Sequence, residues 1–543
     1  MKRIIFGIAV AAGVVYWALA QPGPQPLATL FPTGALVYLE AKDFGSMLAD
    51  WNGSAEKNAW LQSASYGEFS RSRLFLRLGE AQTEFAAAAG VPPDYALAGA
   101  VAGGNSALAM YHIGNVEFLY ITHLASARAM NTVLWKARGN YQTRRAGGVE
   151  YYVKEDAGSH RVAAFGYAGN VLMIATKEDL IAGALERLAA TGRGSVATEK
   201  WFTDSTQAAP AGSNDLRLVY NMERLAETPH FRSYWVQRNS RALAEFSSGL
   251  ADLERERGEV RERRVLIRGT AAAAADEAAT GALLAAVPDD AGFYRAWAHP
   301  EAESARRLIQ EKIFSAGGTP GVQSRQAPVV AMTAEAGAEQ DLETRIDEAP
   351  LVEDRDALAF GALRERLAAM PIDGMLQVES TRAGDVFVGT EAAIVVLARS
   401  AWDANAMRTA LAQAAGTLWG SGSIGALEGI TVAIDGRWLV VGNSESLVNA
   451  IFGRRNRAAV AGAAYAAGWR HGRELGNFER MTRLIDFPQI PAAGDAAGAR
   501  EPMFYSETVA SLARALSRVE SAEIVVHDVG TMLRETLVYR IAP

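Results

Sequence analysis

No cysteine occurs anywhere in the 543 residues. Disulfides, thiolate metal sites, cysteine nucleophiles and a lipid-bearing N-terminal cysteine are excluded together. Stability must therefore come from packing. Lysine is nearly missing as well: there are eight, none after Lys312, and arginine supplies the rest of the 54 basic residues. Alongside abundant alanine and glycine, that bias reads as the composition of a GC-rich bacterial genome. A net charge of −7 leaves no overall excess of basic residues, so a nucleic-acid partner is not expected, because such binding rests on phosphate neutralisation.

Catalytic signatures are missing too. No G-x-S-x-G elbow is present, and Gly420-Ser-Gly-Ser-Ile-Gly425 has the wrong spacing for one. No Walker-type phosphate loop occurs, and no G-x-G-x-x-G between a strand and a helix. The seven histidines, His112, His123, His160, His230, His299, His471 and His527, form no pair at metal-ligand spacing. His112 and His123 lie on adjacent strand-like runs, where the alternatives are a facing pair and two separate strand residues. Asp289-Asp290 and Glu353-Asp354-Arg-Asp356 read as solvated turn acids, and Glu254 to Arg264 as a self-paired, mixed-charge helix end and strand. Tyr220 to Leu225 and Pro229 to Trp235 are aromatic and Arg-rich, suiting either helix packing or a recognition surface. No catalytic, metal or cofactor-binding residue is assigned, and no cofactor is expected.

What is present begins with an address. Met1-Lys-Arg3 is positive, and Ile4 to Ala20 is an uncharged apolar run. Ala18-Leu-Ala20 fits a signal cleavage site. Tyr16 and Trp17 also fit an interfacial belt if the segment stays in the membrane. Gln21 to Pro26 is a proline-rich linker. The segment 1–26 is thus expected to be a signal or anchor, placing the rest in the periplasm or on the outer face of the cytoplasmic membrane. That membrane is then a partner.

The remaining chain carries one pattern twice. Val162 to Ile181 and Ile430 to Val448 each read as strand, tight turn, strand, cap and helix. Ala168-Gly-Asn170 and Asp435-Gly436 supply the turns. Thr176 and Asn443 stand where helix N-caps belong. Leu180, Ile181, Ala184 and Leu185 match Leu447, Val448, Ile451 and Phe452 as apolar stripes. Other landmarks recur in the same order. Pro32, Ala35 and Tyr38 match Pro288, Ala291 and Tyr294 in a turn feeding a strand. Ala127 to Leu134 matches Ala404 to Leu411, and Glu262 to Arg268 matches Glu535 onward.

Within the first copy, helices are expected near Phe44 to Asp50, Ser70 to Ala89 and Ser126 to Ala137, with strands at Ser106 to Ile113 and Glu117 to Leu124. Phe246 to Glu256 and Thr508 to Val519 are read as helical. Thr270 to Gly281 is Ala-rich and is read as the boundary, either a loop or a short exposed helix. Ala316 to Ala349, Gly453 to Gly472 and Ile490 to Pro502 are read as surface loops or weak helices. The expected organisation is α+β: two tandem pseudo-repeated units, 27–269 and 283–543, joined by 270–282. Each is a largely antiparallel sheet packed with helices, behind an N-terminal hydrophobic helix.

The Pro-led strand Leu30 to Tyr38, the strand–helix centre Glu117 to Leu134, the strand Gly148 to Tyr152 and the capped hairpin Asn170 to Leu185 together resemble the domain-of-unknown-function (DUF) 3352 type of bacterial exported or membrane-anchored protein. The resemblance implies location and fold, and no site residues.

The expectation is a non-enzymatic envelope protein with a binding or scaffolding role, whose partner is another envelope protein or an apolar ligand. Two alternatives stand beside it: a periplasmic carrier of lipid or another apolar ligand, and a hydrolase with dispersed catalytic residues. A continuous apolar cavity between sheet and helices favours the carrier. Convergent polar side chains in one cleft favour the hydrolase.

Overall fold

A computed structural model describes residues 25–62, 66–67, 70–71, 73–209, 214–229, 243–314, 359–383, 388–419, 429–477 and 518–542. The apolar run Ile4 to Ala20 lies outside them. Among the described residues no helix is long and apolar enough to cross a membrane. Also outside are 230–235, 316–349, 353–356, 420–425, 490–502 and 508–517.

The strands of the first half are β1 (Val37–Ala41), β2 (Ser106–His112), β3 (Glu117–His123), β4 (Gln142–Ala146), β5 (Val149–Glu155), β6 (Val162–Ala168), β7 (Val171–Ala175), β8 (Leu216–Tyr220), β9 (Phe246–Glu256) and β10 (Glu259–Arg268). Those of the second are β11 (Phe293–Ala298), β12 (Ile372–Ala383), β13 (Val388–Ala398), β14 (Thr431–Asp435), β15 (Trp438–Gly442), β16 (Tyr465–Trp469), β17 (Val519–Asp528) and β18 (Met532–Ile541). All 18 belong to one antiparallel sheet. From one edge the order is β4-β5-β6-β7-β3-β2-β1-β8-β9-β10. It continues through β18-β17-β16-β11-β12-β13-β15-β14. Counted inward to the β10–β18 seam, β6-β7-β3-β2-β1-β8-β9-β10 and β14-β15-β13-β12-β11-β16-β17-β18 have the same connectivity. The hairpin β4–β5 is an addition at the first edge.

Helices cover both faces. In chain order they are α1 (Phe44–Gly53), α2 (Ala55–Leu61), α3 (Arg73–Ala89), α4 (Tyr95–Val101), α5 (Ser126–Met130), α6 (Val133–Lys136), α7 (Glu178–Leu188), α8 (Lys200–Gln207), α9 (Met222–Glu227), α10 (Ala278–Ala285), α11 (Ala302–Ile309), α12 (Gly361–Ala368), α13 (Ala404–Trp419) and α14 (Glu445–Gly453). On one face α7 and α8 bury Leu180, Ile181, Leu185 and Trp201 against Tyr38, Leu119, Met173 and Val219, while α10 and α14 bury Leu283, Val448 and Ile451 against Leu376, Val395 and Val440. On the opposite face α3 to α6 cover Phe165, Leu172 and Ile174, and α11 to α13 cover Met375, Ile394, Val396 and Leu439.

The predicted hairpins form. Gly169 and Asn170 both have positive φ (57° and 63°), the requirement of a type I′ turn, whereas only Gly436 (55°) does in the second hairpin. Its two-residue loop is therefore Gly436-Arg437, one residue later than read from sequence.

Thr176 and Asn443 do not cap helices. Thr176 Oγ1 accepts from Phe118 N (2.8 Å) and donates to Val116 O (3.1 Å); Asn443 Oδ1 accepts from Ala392 N (2.7 Å) and its Nδ2 donates to Thr390 O (3.0 Å). Both latch the second hairpin strand to its neighbour, at corresponding places in the two halves. Ser444 caps α14 instead, while Lys177 precedes α7 without a side-chain capping bond.

Four other expectations are corrected. Phe246–Glu256 is strand β9. Its Phe246, Leu250 and Leu253 have helical spacing, but Ser248, Leu250 and Asp252 are all buried on one face. Asp252 belongs there because Arg217 binds it through two bonds of 2.7 Å. The charged run after it is therefore the β9–β10 hairpin, with Arg263 paired to Glu254 at 2.9 Å. Gly453 to Gly472 contains β16, paired on both edges, where Gly468 leaves room for the ring of Tyr294 that a Cβ would strike. The linker ends in a short helix, α10, as one of its two readings had it, but that helix is not exposed: Thr280 and Gly281 are buried and the Thr280 hydroxyl donates to Ala463 O (2.6 Å). Ser126 to Ala137 is two short helices, the second capped by Thr132.

Near the β10–β18 seam, Arg268 holds Asp528 through bonds of 2.5 and 2.9 Å. That hydrogen bonding keeps the Asp528 carboxyl below its usual range, against an opposing effect of burial. A depressed carboxylate pKa contributes stability above the unfolded value, about 3.9, and loses it as pH falls through the folded value. Asp528→Asn is expected to lower unfolding stability by about 1–3 kcal/mol near pH 7. In urea titrations the gap from wild type should shrink below about pH 4.

Candidate functional site

The titratable residues considered from sequence do not converge. His112 lies opposite Glu117, while His123 lies opposite Val171, so the two do not face each other. His160 contacts Glu155 (3.1 Å), His527 contacts Glu277 (2.7 Å), and His471 is buried beside Trp469. Asp289 is tied to Arg454 at 2.8 Å, and this bond lowers its pKa. Among the described residues no group of three His, Cys, Asp or Glu could hold a metal ion.

The feature that stands out is apolar. Between the first-half sheet and its helices lies a cavity of about 340 Å³. Its floor is Leu39, Ala41, Ser106, Leu108, Phe118, Tyr120, Ile174 and Leu216 from β1, β2, β3, β7 and β8. Its roof is Phe44 and Met47 of α1, Phe85 of α3, Leu97, Ala98 and Val101 of α4, and Leu134 of α6.

The few polar groups are satisfied within the wall. Tyr120 OH donates to Val101 O (3.1 Å), Ser106 Oγ lies 2.6 Å from Thr122 Oγ1, and Thr122 Oγ1 accepts from Gly103 N (3.1 Å). Asp94 caps α4 by accepting from Leu97 N (2.8 Å). Burial raises the Tyr120 pKa, so its hydroxyl stays neutral at physiological pH. Apart from the exposed carboxylate of Asp94, such a wall suits hydrocarbon and gives a polar group nothing unpaired to bind.

The cavity has a residue-level origin. One cross-strand row of its floor is Leu216–Ala41–Ser106–Thr122–Leu172. The row at the same topological position in the second half is Tyr465–Trp297–Met375–Val396–Leu439. Ala41 and Ser106 stand where the other half has Trp297 and Met375. The next row, Leu218–Leu39–Leu108–Tyr120–Ile174, corresponds to Ala467–Arg295–Gln377–Ile394–Val441. There a polar chain runs from Lys312 through Glu379 and Gln377 to Arg295. Above it Phe314 and Phe360 pack edge to face at 5.2 Å. Among the described residues, larger side chains thus stand in the second half where the first is hollow.

The roof is lightly held. Helix α1 buries no residue completely. It is fastened at its start, where Phe44 N and Gly45 N donate to Gly104 O (3.1 Å) and Gly103 O (2.9 Å). Gly45 permits this approach, since a Cβ there would sit 3.1 Å from Ala102 O. Trp51 and Tyr95, on α1 and α4, are 44% and 63% exposed, an unusual placement for large rings.

Sequence reading assigned none of these residues. A cavity is a deficit of side-chain volume, and only comparison of Ala41 with its counterpart Trp297 carries the signal.

No protein-family model matches the chain, and no curated protein is significantly similar to it in sequence. Among solved structures, crystal form I of TP0453 is similar at 13% identity, covering 46% of this chain and 81% of that one, with a TM-score of 0.24. Crystal form III gives 12%, 46%, 82% and 0.24. So remote a likeness carries no argument about function.

Proposed function

We propose that this is a cell-envelope protein that binds an apolar molecule in the first-half cavity and does not transform it chemically. The observation that carries this reading is the hydrocarbon-lined space between the sheet and helices α1, α3, α4 and α6. Core packing normally leaves few voids larger than a water molecule, and at the corresponding place the second half carries Trp297 and the fully buried Met375. The shared strand order supports an internal duplication in which one copy kept a filled core and the other was hollowed. The positive start and apolar run at Met1 to Ala20 support an extracytoplasmic placement, retained on the membrane or released from it. The landmarks shared with the DUF3352 type point the same way.

Protein purified without detergent from its own envelope should carry an apolar molecule at close to one per chain. Organic extraction and mass analysis measure this. Only trace, non-stoichiometric material, together with no saturable uptake of an added aliphatic probe, would end the reading.

A further inference from the structure

A second space adjoins the cavity across α1. Phe44 and Met47 line the cavity on one side, and on the other they line a groove of about 1070 Å³ between α1 and the tip of the β9–β10 hairpin. The two spaces thus share a wall made of two flexible side chains on a helix with no completely buried residue. The groove differs from the cavity in chemistry. Arg255, Arg257 and Arg518 line it, against the two carboxylates Asp50 and Glu256.

Those charges are unequally committed. The Arg255 guanidinium lies 3.7 Å from Asp50 and 3.6 Å from Asp215, so it and Asp50 largely answer each other. Arg518 donates to Ala542 O at 3.3 Å. Arg257, at the exposed hairpin turn beside Gly258, makes no ion pair with another described residue. Arg257 therefore stands in the groove next to the hydrocarbon-lined space with its donors available, beside Glu256, which likewise makes no ion pair with another described residue.

Resting on the function proposed above, we infer that the ligand is an anionic amphiphile with a single aliphatic chain. The chain occupies the cavity behind Phe44 and Met47, and the head group lies in the groove against Arg257, with Arg255 and Arg518 close by. A single chain follows from size, since 340 Å³ is at the lower end of small-molecule sites. A negative head follows from the guanidinium fork, which matches carboxylate and phosphate oxygens alike.

Calorimetric titration of the full chain at low ionic strength, with sub-micellar dodecanoate, dodecyl phosphate, dodecanol and dodecyltrimethylammonium, tests the inference. Both anions are expected to bind at least tenfold more tightly than the alcohol, and the cation most weakly. Arg257→Gln should collapse the ratio of anion to alcohol affinity towards one, whereas Arg257→Lys should keep most of it. Raising salt should narrow the ratio in wild type. Which anion binds more tightly separates a carboxylate from a phosphate head. Equal affinities for anion and alcohol, or a ratio untouched by Arg257→Gln, would overturn the inference while leaving the cavity reading intact. Failure of every probe to bind would overturn both.

Discussion

Ala41→Trp combined with Ser106→Met should abolish uptake of a long-chain aliphatic probe while leaving the protein folded and melting no lower than wild type. The two positions are direct cross-strand neighbours on the cavity floor, and the substitutions install the pair that the second half carries at Trp297 and Met375. Overpacking an already filled core usually costs about 1–3 kcal/mol. Here the added side chains enter open space of about 340 Å³, so lost binding need not come with lost stability. Removing the Ser106 hydroxyl leaves Thr122 with its bond from Gly103 N. Equilibrium binding of dodecanol and a thermal melt are sufficient readouts. A variant that melts normally and binds as well as wild type would show that the ligand does not occupy this space.

The reverse change should behave oppositely. Met375 is fully buried under α11 to α13, and Met375→Ala should cost about 2–5 kcal/mol because the surroundings relax only partly around the void. Urea denaturation of Met375→Ala beside Ser106→Ala gives the comparison. Ser106 faces an existing cavity, so its truncation removes the hydroxyl's contacts with Thr122, Gly104 O and Tyr120 but no packing, a cost of about 1–2 kcal/mol. Similar costs at the two positions would mean that the halves are packed alike and that the cavity is smaller than its walls suggest. Aliphatic binding should survive Met375→Ala, since the substitution lies in the filled half.

Much of the architecture was legible in the order of landmarks. Gly169-Asn170 and Gly436 announce hairpins because only a few residue types tolerate positive φ, and that constraint is local. The stripes Leu180 to Leu185 and Leu447 to Ile451 announce helices for an equally local reason. Strand β9 was misread because its burial is decided across the sheet. Arg217, 35 residues away, makes Asp252 an acceptable inward residue, and no window around Phe246 contains that information. Strand β16 was missed because its small residues resemble those of a loop, and the Tyr294 ring that requires Gly468 is distant in sequence. Thr176 and Asn443 were correctly singled out as equivalent, yet given the wrong role. Their partners, Val116 and Phe118 in one half and Thr390 and Ala392 in the other, are distant in sequence.

The site was less visible than the fold. Catalytic sites are marked by unusual residues, whereas an apolar cavity is marked by ordinary ones that are too small. Pairing Tyr38 with Tyr294 already aligns Ala41 with Trp297 three residues on, and that contrast in volume was available without coordinates. Ser106 against Met375 was not, because the segments between β1 and β2 and between β11 and β12 differ in length and break the alignment.

The most direct test of the central claim is methyl-resolved NMR of the full chain titrated with ¹³C-labelled dodecanoate. Shifts and intermolecular NOEs are expected at Leu39, Met47, Leu97 and Leu108, with saturation at one molecule per chain and no response from Leu363, Met375 or Leu411 in the filled half. NOEs to those second-half methyls, or saturable binding without any at the first-half set, would contradict the account.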